Sequence, residues 1–63
     1  MMSMGNLMTG WIGDGGVAHA VDTDHPGVTV CGELNPATHA EAAWADAPAP
    51  RCVRCLSRLL ARA

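Results

Sequence analysis

The chain has no phenylalanine, no tyrosine and no lysine, and its 63 residues include only two large aromatics, Trp11 and Trp44. No basic residue precedes Arg51, and no apolar run approaches the roughly 20 residues that a membrane span requires. Each shortage excludes something. A chain this short buries only about 60% of the surface its unfolded form exposes. With so few rings to bury, side-chain packing alone makes a thin core. Chains of this size are usually held by disulfides, a metal or a partner. The opening Met1-Met2-Ser3-Met4-Gly5-Asn6 has neither the basic residue nor the apolar stretch of a secretory leader. The expectation is a soluble, cytoplasmic chain in which thiols stay reduced.

What the sequence does contain narrows the staple. Three cysteines are an odd number for disulfide pairing. Three thiolates and one imidazole, by contrast, fill the four positions of a tetrahedral zinc ion. Charge is informative through its layout. The net charge is −2, and all six acids (Asp14, Asp22, Asp24, Glu33, Glu41, Asp46) precede all four bases (Arg51, Arg54, Arg58, Arg62). An acidic total argues against a general nucleic-acid binder, while the basic charge gathers at the C-terminal end.

Residues 1–10 lack periodicity and read as a flexible N-terminal tail, ahead of a zinc-finger-like domain over 11–63. Gly13-Asp14-Gly15-Gly16 supplies the positive-φ positions of a tight hairpin turn between Trp11-Ile12 and a strand over 17–21. His25-Pro26-Gly27 breaks the chain again, and the β-branched Val28-Thr29-Val30-Cys31 reads as the next strand. If Asp24 faces Pro26 across that turn, His19 lies opposite Cys31, with Cβ atoms about 5 Å apart. In the connector, Thr38-His39-Ala40-Glu41 has the form of a capping box, and the alanines after it predict a short helix over 38–45.

Residues 51–62 carry the clearest helical pattern. At 100° per residue, Cys52, Val53, Cys55, Leu56, Leu59, Leu60 and Ala63 fall within an arc of about 160°. Arg51, Arg54, Arg58 and Arg62 fall within about 80° on the opposite side. The predicted fold is a small α+β zinc finger: a two- or three-stranded antiparallel sheet packed on a C-terminal helix and held by one zinc.

The candidate metal ligands are His19, Cys31, Cys52 and Cys55, spaced His-x11-Cys-x20-Cys-x2-Cys. Cys52 and Cys55 lie one turn apart at the start of a helix, where the partial positive charge favours thiolate. Four protein ligands would leave no open position, which makes such a zinc structural and not catalytic. The imidazole is open among three: His19 on its strand, His25 in a turn before proline, and His39 beside the expected helical start. Two other readings of the thiols stand beside this one. They are three buried small hydrophobes, or a redox dithiol at Cys52 and Cys55 without the βαβ surroundings such sites have.

Val17-Ala18-His19-Ala20-Val21, Thr29-Val30-Cys31-Gly32, the connector Trp44 and Arg51-Cys52-Val53-Arg54-Cys55-Leu56 resemble the short zinc-finger proteins of actinobacteria and their phages. The resemblance covers about residues 11–62. It implies a metal-held module with His19, Cys31, Cys52 and Cys55 as ligands and with no catalytic role. The chain does not resemble the iron–sulfur transcription factors of actinobacteria, which need four cysteines.

Three functional classes can be compared. A non-enzymatic module could present the arginine ridge (Arg51, Arg54, Arg58, Arg62) to a larger cytoplasmic protein, and a phage origin would make that a host protein. Arginine is common at interface hot spots. The alternative is a nucleic-acid-binding finger that sets the same arginines against phosphates, with Trp11 and Trp44 stacking on bases or buried as core. An enzyme is not expected, because no paired carboxylates, activated nucleophile or phosphate loop is present.

Overall fold

The computed structural model describes residues 7–13 and 15–62, and of residues 39–41 the backbone alone. Three strands, β1 (Leu7–Trp11), β2 (His19–Asp22) and β3 (Ala37–Ala43), form one antiparallel sheet in the order β2-β1-β3. A 3-10 helix (Trp44–Asp46) follows β3, and helix α1 (Val53–Arg62) closes the described chain. The expected antiparallel sheet with a C-terminal helix is what the chain forms, and its His/Cys cluster is compatible with one zinc.

The tail boundary at residue 10 needs correction. Leu7 to Gly10 belong to β1, the central strand, and Met8 and Thr9 are buried there; residues 1–6 lie outside the described residues. Strand β1 pairs with β2 through Leu7↔Asp22, Met8↔Val21, Thr9↔Ala20 and Gly10↔His19. The turn between them is the expected hairpin, closed by Gly15 N–H donating to the Ile12 carbonyl at 3.0 Å.

On its other side β1 pairs with β3, and the register shifts between Gly10↔Thr38 and Met8↔Ala43. The buried Thr9 answers that irregularity: its hydroxyl donates to the Ala43 carbonyl at 3.3 Å. Gly10 is required by space. A Cβ there would lie 2.8 Å from Val21 Cγ2 and 3.0 Å from Pro36 Cβ.

The helix predicted over 38–45 is therefore corrected to a strand and a 3-10 turn. Alanine's helix preference amounts to tenths of a kcal/mol per residue. Backbone pairing with β1, which Gly10 permits by close approach, outweighs it. Residues 28–31 are also not a strand. Val28 bridges antiparallel to Leu34, and the chain between them turns tightly, with Gly32 N–H donating to Thr29 O at 3.0 Å and Gly32 at φ +100°.

The core joins Ala18, Ala20, Val30, Trp44, Ala47, Cys52 and Cys55, with Leu7, Leu56 and Leu59 packed against it. Arg51, which the sequence placed on the helical ridge, lies before α1. Its guanidinium carbon sits 5.2 Å from the Trp44 ring centroid. Its Nε donates to Ala47 O at 3.2 Å and its Nη2 to Ala45 O at 3.3 Å. Arg51 thus clasps the 3-10 turn and leaves the ridge to Arg54, Arg58 and Arg62.

Candidate metal centre

One side of β2 gathers the site. Ala18 N–H donates to Pro50 O at 3.0 Å, and Cys52 N–H donates to Ala18 O at 2.7 Å, so residues 50–52 run parallel along the strand. Two residues on, Ala20 O accepts the Val30 N–H at 2.8 Å. His19 sits between these two attachments, which bring Cys52 and Cys31 to it by backbone pairing alone. The single Val30–Ala20 bond matches the register that set His19 against Cys31. The loop carrying Cys31 is a turn, though, and extends no ladder.

Small side chains complete the approach. Ala18 and Ala20 are fully buried and offer no bulk. The Cys55 sulfur therefore comes within 4.0 Å of the Ala20 carbonyl. Cys52 stands at the N-terminus of α1 in the capping position. Its carbonyl accepts the Leu56 N–H at 3.1 Å, and its sulfur accepts the Cys55 N–H at 3.4 Å. A sulfur here does the work of a serine or aspartate cap.

His19, Cys31, Cys52 and Cys55 offer one ligand atom each, and these atoms lie within 4.8 Å of one another. Cys31 Sγ is 3.6 Å from His19 Nδ1, Cys52 Sγ is 3.8 Å from Cys31 Sγ, and Cys55 Sγ is 3.8 Å from His19 Nδ1. Four ligands about 2.3 Å from one metal at tetrahedral angles are separated by about 3.8 Å. A disulfide would need sulfurs about 2.05 Å apart, and all three cysteines are free. The donor set and its spacing are compatible with one four-coordinate metal, with Nδ1 the His19 nitrogen nearest the sulfurs of Cys31 and Cys55.

Of the other two histidines, His25 is exposed in the turn after β2 and is not part of the cluster. His39 has its backbone in β3, and its side chain lies outside the described ones.

The thiols differ in their surroundings. Burial opposes ionisation of Cys31, but hydrogen bonds from Thr29, His19, Cys55 and Cys52 outweigh it and bring its pKa down to about 6. Burial pushes Cys55 up to about 12, with the neighbouring Cys31 and Cys52 thiols adding to the rise.

Thr29 is the supporting residue that the sequence reading missed. Its buried hydroxyl accepts the Glu33 N–H at 2.9 Å and lies 3.2 Å from Cys31 Sγ. With that acceptance fixed, its own hydrogen is available to the sulfur. The signal was the string Thr29-Val30-Cys31-Gly32: a hydroxyl two residues before the cysteine and a glycine after it, free to take positive φ.

The ridge arginines lie apart from the metal cluster. Arg54 is exposed and pairs with Glu33 at 3.5 Å, an arrangement worth at most about 1 kcal/mol. Arg58 is exposed on α1. Arg62 borders a shallow cleft with Asp22, His25, Val28, Thr29 and Val30. Trp44 is buried in the core, so its ring is not offered to bases. No helix among the described residues is long and apolar enough to cross a membrane.

Comparison with protein-family models, with curated proteins and with solved structures returned no match.

Proposed function

We propose that this chain is a small cytoplasmic module that is folded by one structural zinc ion, has no catalytic role, and docks on a larger protein. The observation that carries this reading is the closed donor set: three sulfurs and one imidazole nitrogen within 4.8 Å of one another. Sulfur-rich tetrahedral sites select zinc among the common divalent ions. Four protein donors leave no position for a substrate or an activated water. His19, Cys31, Cys52 and Cys55 would hold the ion, which would supply cross-linking free energy. Structural zinc contributes about 10–16 kcal/mol of apparent binding free energy in finger peptides. An iron–sulfur cluster fits less well, because its ligands divide between separate irons and would stand farther apart.

The likeness to short zinc-finger proteins of actinobacteria and their phages belongs to the same proposal, and a phage-borne module of this kind would act on a host protein. Docking on protein is favoured over nucleic acid by where the arginines lie. With Arg51 clasping Trp44, only Arg54, Arg58 and Arg62 remain outward, on a chain of net charge −2.

Metal analysis of the reduced, purified protein tests the zinc. One zinc per chain and no stoichiometric iron is the expected result. A metal-free protein with an unchanged spectrum would overturn the reading.

A further inference from the structure

The three thiols of the cluster are not equally reachable. Cys31 lies in the turn over residues 28–34 and is only partly buried, whereas Cys52 is 8% exposed and Cys55 is fully buried. Beside Cys31, Gly32 is exposed, and a Cβ built on it would meet nothing within 4 Å. The cluster therefore faces solvent on its Cys31 side, where a small solute meets one sulfur before the other two.

The reachable sulfur has a second thiol next to it. Cys52 Sγ stands 3.8 Å from Cys31 Sγ, so a disulfide bond of about 2.05 Å requires a movement of about 1.8 Å. The turn can supply that movement. It belongs to no ladder of the sheet, and its backbone meets β2 through the Val30 N–H donating to Ala20 O. Cys55 is placed otherwise, with its sulfur against the His19 ring and the Ala20 carbonyl. The sequence offers Cys52 and Cys55 as the dithiol; the fold sets Cys52 beside Cys31.

We propose that the metal centre is also a peroxide-sensitive switch, in which Cys31 takes the oxidant, Cys52 forms a disulfide with it, and the ion is released. The Cys31 thiolate attacks one oxygen of hydrogen peroxide: an S–O bond forms, the O–O bond breaks and hydroxide leaves. The Cys52 thiolate then attacks the Cys31 sulfur: the S–S bond forms, the S–O bond breaks and a second hydroxide leaves. Two protons from solvent turn both hydroxides into water. The two thiolates have lost two electrons, and the peroxide has gained them. His19 and Cys55 then remain as donors, half of a tetrahedral set. The bridged Cys52 sulfur is no longer an anion, so it also caps the Cys55 N–H less strongly.

The inference rests on the zinc-module reading above, and the two fail differently. The zinc-loaded full chain is titrated with hydrogen peroxide beside a chromophoric chelator, with a peroxide-free control, then alkylated and digested with trypsin without reduction. Arg51, Arg54 and Arg58 put each cysteine on its own tryptic peptide, 1–51, 52–54 and 55–58. One zinc should be released for every two thiols lost, with 1–51 joined to 52–54 and Cys55 alkylated on 55–58. Dithiothreitol with zinc should restore the starting amide spectrum. Before oxidation, a limiting alkylating agent should label Cys31 at least about tenfold faster than Cys55. A bridge between 52–54 and 55–58, a bridge between two chains, or sulfinic acids without a bridge would overturn the switch and leave the zinc module in place. Zinc retained under a large excess of peroxide, or equal labelling of the three thiols, would do the same. A reduced chain purified without zinc would overturn the module reading and the switch together.

Discussion

The two halves of this molecule are held by different means. The sheet half, β1 with β3 and Trp44, coheres through backbone ladders, close contact at Gly10 and a buried ring. The other half, α1 with the turn around Cys31, is attached beside β2 by three isolated backbone hydrogen bonds, by Leu56 and Leu59 and by the sulfur cluster, with no strand ladder of its own. Cys55 is the single fully buried side chain of α1, and it lies against a histidine and the Ala20 carbonyl. The lesson is about size. A chain with two tryptophans has enough apolar surface to organise one half, and the second half needs a bond of another kind.

The largest effect should come from removing the metal, by a strong chelator or by Cys55→Ser. Amide exchange should accelerate throughout 28–35 and 53–62, with the helical circular-dichroism signal falling, while the β1–β3 pairing keeps protection longest. Simultaneous loss everywhere would mean that the two halves are one cooperative unit, and unchanged exchange would deny the metal a structural role.

Acidification should act next. Metal capture requires thiolates, so protons compete with it. Cys55, pushed up to about 12, must lose a proton at any working pH. This alone weakens binding about tenfold per pH unit lost. Cys31, lowered to about 6, is ionised above that value and competes only below it. Competition with a chromophoric chelator from pH 8.5 to 5 should therefore give an affinity that falls with pH and steepens below about 6. A flat profile would contradict thiolate ligation.

Gly10→Ala strikes the other half. The added methyl meets Val21 and Pro36 inside contact distance, and overpacking of this kind costs about 1–3 kcal/mol. The melting temperature should drop with metal stoichiometry unchanged; a neutral result would show that β1 can shift at no cost. Thr29→Val should be the mildest. It preserves shape but removes the hydroxyl beside Cys31, and outer hydrogen-bond partners of this type are worth about tenfold or more in metal affinity. Equal affinity would reduce Thr29 to a turn former.

The site was more legible in the sequence than the sheet that supports it. Cys31, Cys52 and Cys55 are chemically distinctive, and a thin core demands a staple, so the residue types singled them out, whereas His19 stood beside His25 and His39 and was favoured by an assumed strand register. The helix was legible because its cysteines, leucines and arginines follow a 3.6-residue period. Strands β1 and β3 were not. Leu7-Met8-Thr9-Gly10-Trp11 and Ala37-Thr38-His39-Ala40-Glu41-Ala42-Ala43 are poor in β-branched residues, and strand preference depends on the neighbours a residue packs against. The first becomes a strand between β2 and β3 and the second beside β1, a non-local fact with no local signature. Arg51 misled for a related reason. Its position on a projected helix fits the ridge, but the helix begins two residues later, and the Trp44 ring claims the guanidinium.

The sulfur cap at Cys52 has a consequence beyond stability. Ten residues are too few to persist as a helix on their own in water, and here the first turn is organised by the same atom that would bind the ion. Helix nucleation and ion capture then become a single event. A molecule without its ion would lack that helix altogether, so the number of folded copies would track how much free metal the surroundings supply.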